Sequence, residues 1–317
     1  MNRFILLLLL LSLALCGCIA YNSTSVIQKT LSAADCPPAN QNTNIPPPHV
    51  DPALPGYTGD MVYRSGHVID GKANVYLIFW IDGTFQPASP LFVSLTEQFV
   101  QDAGKSPFYA NLSQYHDAQN RRPECAVLAG TFIDTRPFPA NLVAAWKQGV
   151  GKTNQTDPLS DTIWRSEIAG VAQQQRWDTK DYHNIFVILP TIRWGACGYH
   201  NFLKNGNQVG SPWAYISFPF DKSTGQESCA DAPQSPNNDP TADITIDTLS
   251  HELAEAVSDP FLGQWTSNGF EMADKCQLIA PETINPRTHG NVTWQGHTYI
   301  IQEEYDNLRH GCVAEGL

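Results

Sequence analysis

Cations are scarce in this sequence: 19 lysines and arginines stand against 31 aspartates and glutamates, for a formal net charge of −12 at pH 7. With no basic stripe, the chain lacks the electrostatic footprint that nucleic acid or anionic lipid headgroups require, which argues against both as partners. No C-x-x-C pair is present, so neither a dithiol redox centre nor a zinc ribbon is indicated. The G-x-S-x-G elbow of a serine hydrolase is also missing. The chain shows no internal repeat. Its most apolar stretch, Phe4 to Leu15, is short for a bilayer span.

That stretch follows Met1-Asn2-Arg3 and reads as the h-region of a signal peptide over residues 1–20. Leu15-Cys16-Gly17-Cys18 resembles a bacterial lipobox. Lipidation of Cys18 would leave an N-terminal lipid anchor as the only membrane contact, whereas ordinary cleavage would release the protein. Residues 21–60, rich in Pro, Asn and Ser, read as a solvated linker, and residues 61–317 as a single folded domain. Cys36, Cys125, Cys197, Cys229, Cys276 and Cys312 remain beyond the leader. An even number in an exported chain favours bridges. Proximity in sequence suggests Cys197 with Cys229 and Cys276 with Cys312, leaving Cys36 with Cys125. Asn-x-Ser/Thr sequons begin at Asn22, Asn111, Asn154 and Asn291; at this composition they arise by chance and do not establish glycosylation.

Short β-branched or aromatic runs predict strands at 73–80, 126–133, 184–189 and 213–218. Apolar residues at helical spacing predict helices at 89–103, 106–116 and 161–176, followed by a last helix near 240–259. The order predicts a disulfide-stabilised α+β domain with a mixed sheet. Trp80, Trp164, Trp194 and Trp213 read as core or cleft-wall aromatics. A carbohydrate-binding protein would need such rings exposed, Trp213 and Trp265 among them.

The last helix carries the chemistry. Asp239 suits its N-cap, Pro240 its first turn, and Pro260 stops it. Ile246, Leu249, Leu253, Ala256 and Val257 fall on one face, with His251, Glu252, Glu255 and Asp259 on the other. His251 and Glu255, one turn apart, can reach a common ion, with Glu252 as general base. The alternative is an ordinary solvated acidic face containing one histidine. Downstream, Asp274 and Glu271 compete as third ligand. A helical His and Glu pair suits zinc and does not make a calcium loop. His200, in Cys197-Gly198-Tyr199-His200, reads as a packed loop histidine, with a reach into the cleft as the less favoured placement.

This H-E-x-x-E helix resembles the H-E-x-x-H helix of the zincins. Asp274, with positions 256–273 between it and Glu255, lies where the gluzincin group places its third ligand. The resemblance implies a zincin-like mixed sheet whose edge strand lies against a polypeptide substrate. A carboxylate in place of the second imidazole puts more negative charge on the ion and departs from the peptidase pattern. Asn74-Val75-Tyr76-Leu77-Ile78-Phe79-Trp80, Cys197-Gly198-Tyr199-His200, Tyr215-Ile216 and Asn237-Asn238-Asp239 resemble, in the same order, the plant EXORDIUM (phosphate-induced) family. That resemblance implies a secreted, non-catalytic protein that binds or signals at the cell wall or matrix. The expectation is thus a secreted or lipid-anchored extracellular metalloprotein with zinc on His251, Glu255 and Asp274 or Glu271, acting as a peptidase. The EXORDIUM-like binding protein is the alternative.

Overall fold

In a computed structural model of the chain, residues 59–150, 158–221, 226–227, 229, 234–277 and 284–316 are described. The expected signal peptide, the lipobox at Cys18, nearly all of the linker, Cys36 and the sequons at Asn22 and Asn154 lie outside them. In chain order the elements begin with β1 (Val62–Tyr63), β2 (Gly71–Trp80), α1 (Phe92–Ala103), α2 (Pro107–Asn111), β3 (Pro123–Asp134), α3 (Ala140–Lys147) and α4 (Pro158–Gln175). They continue with β4 (Asn184–Pro190), β5 (Gly198–Asn205), β6 (Gln208–Ile216), β7 (Phe220–Asp221), β8 (Gln226–Glu227) and α5 (Pro240–Ser258). The short strands β9 (Trp265–Thr266), β10 (Val292–Trp294), β11 (His297–Tyr299), β12 (Glu304–Asp306) and β13 (Gly311–Val313) follow.

The principal sheet has the order β3-β2-β4-β6-β5. Its strands run parallel except β5, which pairs antiparallel with β6 and forms an edge. The fold is therefore mixed α and β around a mixed sheet, as expected. The four predicted strands correspond to β2, β3, β4 and β6; β5 and α3 were not anticipated. The expected helix at 106–116 is shorter, ending at Asn111 and continuing as a 3-10 turn to Gln114.

Period-two alternation divides the strand side chains between two cores. Val75, Leu77, Phe79, Ile185, Val187, Leu189, Ala214 and Ile216 pack with α1 and α5. Ile78, Trp80, Phe186, Ile188, Trp213 and Tyr215 pack with α3 and α4. On the second side Trp164 stacks on Tyr215 at 5.1 Å and meets Trp80 edge-on at 6.3 Å. Trp213 has no exposed surface and Trp265 only 8 %, which removes the exposed rings that a carbohydrate-binding reading needs.

Helix α5 begins as its sequence indicates: the Asp239 side chain accepts from the Ala242 N–H at 3.1 Å and Pro240 occupies the first turn. Its burial differs from the expectation. From Ala242 to Ser258 every residue except Thr248 is buried, because α1, β5 and β6 pack around the helix and the C-terminal strands join the same core. No solvated acidic face exists on it. Burial of Ile246, Leu249, Leu253 and Val257 stabilises the helix by roughly 1.5–3 kcal/mol each.

Two expected disulfides form, Cys197–Cys229 and Cys276–Cys312, with Cα separations of 5.5 and 5.8 Å. Such bridges suit an oxidising compartment. Among the described residues no helix is long and apolar enough to cross a membrane. Asn111 is buried, and Asn291 exchanges two hydrogen bonds with the Ile301 backbone, so neither side chain is available to a glycan in the folded chain.

Where β3 leaves the sheet, the Arg136 guanidinium donates to Asp134 and to Glu167 of α4, each at 2.7 Å. Burial, reinforced by the adjacent Asp134 carboxylate and opposed by Arg136, pushes Glu167 from its ordinary 4.5 up to about 8. The folded chain holds this proton more tightly than the unfolded one, so its contribution is complete below 4.5 and is lost as pH rises through about 8. The urea midpoint of the wild type should fall between about pH 5 and about pH 8, and Glu167→Gln should flatten that fall. An equal decline in the variant would assign it to other groups.

Candidate metal centre

Strand β5 and helix α5 converge on a cavity of about 500 Å³ whose lining includes His200, His251, Glu252, Glu255, Glu271 and Asp274. All four sequence-predicted ligands and the predicted base thus share one cavity. His251 and Glu255, one helical turn apart, meet at 3.3 Å between Nε2 and Oε1. Asp274 arrives on the turn after β9. Its backbone N–H donates to Glu255 Oε1 at 3.1 Å, and its Oδ1 lies 3.7 Å from His251 Nε2. The Cys276–Cys312 bridge ties this turn to β13.

His200 corrects the sequence reading. It belongs to β5, and its side chain is 2 % exposed. In register it pairs with Ala214, whose side chain packs on the α5 side of the sheet, whereas its neighbour Tyr199 packs on the other side. Its Nδ1 lies 3.4 Å from Glu255 Oε2, 3.5 Å from Glu271 Oε2 and 3.8 Å from Glu252 Oε2. Strand alternation would have aimed it at α5, had β5 been recognised as a strand. Gly198, two residues earlier, faces the same way: a Cβ there would sit 2.5 Å from Glu252 Oε1, so the absent side chain makes room for that carboxylate.

Both imidazoles are fixed through the nitrogen that faces away from the cluster. His200 Nε2 lies 3.0 Å from the Asp259 carbonyl. A carbonyl only accepts, so Nε2 carries a proton and Nδ1 is the nitrogen that faces the carboxylates, able to ligate once its own proton is released. His251 Nδ1 lies 3.0 Å from Gln302 Oε1. The Gln302 amide donates its own protons to the carbonyls of Ala273, at 2.9 Å, and Glu303, at 3.3 Å, so its oxygen accepts from His251 and turns Nε2 toward Glu255 and Asp274. This is how imidazoles are held for metal ligation, with the remote N–H setting tautomer and ring angle. No local sequence signal marks Gln302, which reaches α5 through tertiary packing alone.

These groups constrain one another electrostatically. Burial opposes a charge on His200, but Glu271, Glu255 and Glu252 outweigh it and push the imidazole up to about 10. Burial likewise opposes a charge on His251, and Glu255 above all holds it well above the usual imidazole range. Burial raises Glu252 to about 8 and, with Glu255 adding to it, Glu271 to about 10. Asp274 is raised by burial and by Glu255. Glu255 moves the other way, held low against its burial by the two imidazoles.

Donor atoms of His251, Glu255 and Asp274 all lie within 4.8 Å of one another, as do those of His200, Glu252 and Glu255. These buried groups can hold a metal ion, and Glu252 Oε2, buried with no hydrogen-bond partner, shows that protein donors alone do not satisfy the cluster. Metal binding should raise the melting temperature, by linkage worth about 2.7 kcal/mol at a free concentration a hundredfold above Kd, and release protons. Gln302→Leu should weaken binding roughly 10- to 100-fold by freeing the His251 ring. Titration calorimetry in buffers of different ionisation enthalpy checks both expectations; unchanged affinity in the variant would remove Gln302 from the site.

Comparison with protein-family models, with curated proteins and with solved structures finds no match for this chain.

Proposed function

We propose that this is a zincin-like extracellular metalloprotein that hydrolyses polypeptides with zinc held by His251, Glu255 and Asp274. The observation that carries the reading is the meeting of these donors with Glu252 in one cavity beneath the sheet edge. Imidazole nitrogen among the donors favours zinc over calcium or magnesium. A zinc ion bound there would supply Lewis acidity and lower the pKa of a water in its open position.

Glu252, whose Oε2 has no competing donor, would take a proton from the attacking water as the water oxygen bonds to the peptide carbonyl carbon, and would return that proton to the amine as the C–N bond breaks. Strand β5 lies at the end of the principal sheet, where an extended substrate can add by backbone pairing. Support for the zincin-like arrangement comes from this antiparallel edge beside the cleft and from the helix beneath it. The EXORDIUM-like segments divide between fold and cleft: Asn74–Trp80 and Tyr215–Ile216 lie in core strands, whereas Cys197–His200 borders the cavity.

Screened against casein-derived peptides, the zinc-loaded protein should cleave, and Glu252→Gln should lower kcat by at least roughly 100-fold while keeping zinc on His251. Intact activity in that variant would overturn the mechanism. Native protein that contains no metal and takes up none, with a His251→Ala variant that folds normally, would leave the non-catalytic EXORDIUM-like reading in its place.

A further inference from the structure

We propose that the cavity holds two zinc ions bridged by Glu255. This rests on the metal reading above and adds a second ion beside the one on His251. The two donor sets, His251 with Glu255 and Asp274, and His200 with Glu252 and Glu255, share Glu255. They use different oxygens of it: Oε1 faces His251 Nε2 at 3.3 Å, and Oε2 faces His200 Nδ1 at 3.4 Å. A carboxylate that turns one oxygen to each of two imidazoles is arranged to bridge ions roughly 3.5–4 Å apart.

Three further observations point to an ion in the second set. Glu252 has a 4 % exposed side chain, and its Oε2 receives no hydrogen bond. It faces the cavity with His200 Nδ1 at 3.8 Å. The bare backbone of Gly198 is what admits its carboxylate, so the edge strand is shaped around it. His200 has its Nε2 proton committed to the Asp259 carbonyl, so Nδ1 is the ligating nitrogen and is aimed at the same place. Neither residue belongs to the first set.

Charge points the same way. Asp247, Glu252, Glu255, Glu271 and Asp274 bring five carboxylates to the cavity wall, and among its described lining residues the two imidazoles are the cationic candidates, neutral once they ligate. Against five carboxylates, one divalent ion leaves a surplus of three negative charges and a second ion reduces it to one. Buried charge without compensation is costly. Glu252 is the base in the form with one ion on His251, Glu255 and Asp274, and becomes a ligand when the second ion binds.

The test is zinc stoichiometry on the full chain, stripped and reconstituted, by elemental analysis and calorimetry, with folding of each variant checked by circular dichroism. Two zinc ions per chain are expected, falling to one in His200→Asn and in Glu252→Gln. One ion that survives both substitutions but is lost in His251→Ala overturns the second site and leaves the proposed function standing. One ion lost in both His200→Asn and His251→Ala shows a single shared site and also overturns the proposal. No uptake at all overturns both readings. Should the variants fail to fold, cobalt titration of the wild type decides. Attenuation of the first equivalent's paramagnetic resonance signal by the second supports the bridge; a signal that saturates unattenuated at one equivalent rejects it.

Discussion

The structure depends on burying a helix that carries His251, Glu252 and Glu255 with almost no exposed side. An amphipathic helix would turn such residues to water; here β5, β6, α1 and the C-terminal strands cover them. Desolvating a single unpaired ionised group costs several kcal/mol, so the arrangement is stable only if the charges compensate one another or an ion does so. Pairing of Glu255 with both imidazoles is the part the protein supplies itself. Glu255 is held low while Glu271 is raised, so that pairing does not extend to every carboxylate of the cavity.

The surroundings hold this cluster rigidly. One disulfide joins Cys197, immediately before β5, to Cys229 at the cavity wall; the other joins Cys276, beside Asp274, to β13. Each bridge is adjacent to a segment that carries a donor. Asp259 closes the end of α5 by accepting from the Gly263 and Gln264 N–H groups, and its carbonyl orients His200. The residue that ends the helix therefore also positions the strand histidine. Positions fixed in this way need little reorganisation when an ion binds, the condition under which geometry translates into affinity.

Local signals made part of this legible. Asp239, Pro240 and Pro260 bounded α5 because caps and breakers act within a few residues, and the spacing of His251 and Glu255 follows from the helical repeat. The buried runs of β2, β4 and β6 stood out through their β-branched and aromatic content. Strand β5 did not, because Gly198, His200 and Asn201 break up its aromatic residues and the strand is held by pairing with β6. His200 was lost with it. The burial of α5 was illegible for a related reason: which faces of a helix are covered depends on elements distant in sequence, including the segment with Gln302, 51 residues from His251.

The departure from H-E-x-x-H has a physical sense in this setting. The imidazole missing at position 255 is present in space, supplied by His200 from the neighbouring strand. Glutamate at 255 can do what histidine cannot: an imidazole has one lone pair free for a metal when its other nitrogen is protonated, whereas a carboxylate offers two oxygens. Glu255 uses both, one toward each histidine. A histidine at 255 would serve the His251 side or the His200 side, never both, and the two donor sets would lose the residue that joins them. The sequence feature that weakens the likeness to a one-ion peptidase is thus the one that a bridged pair requires.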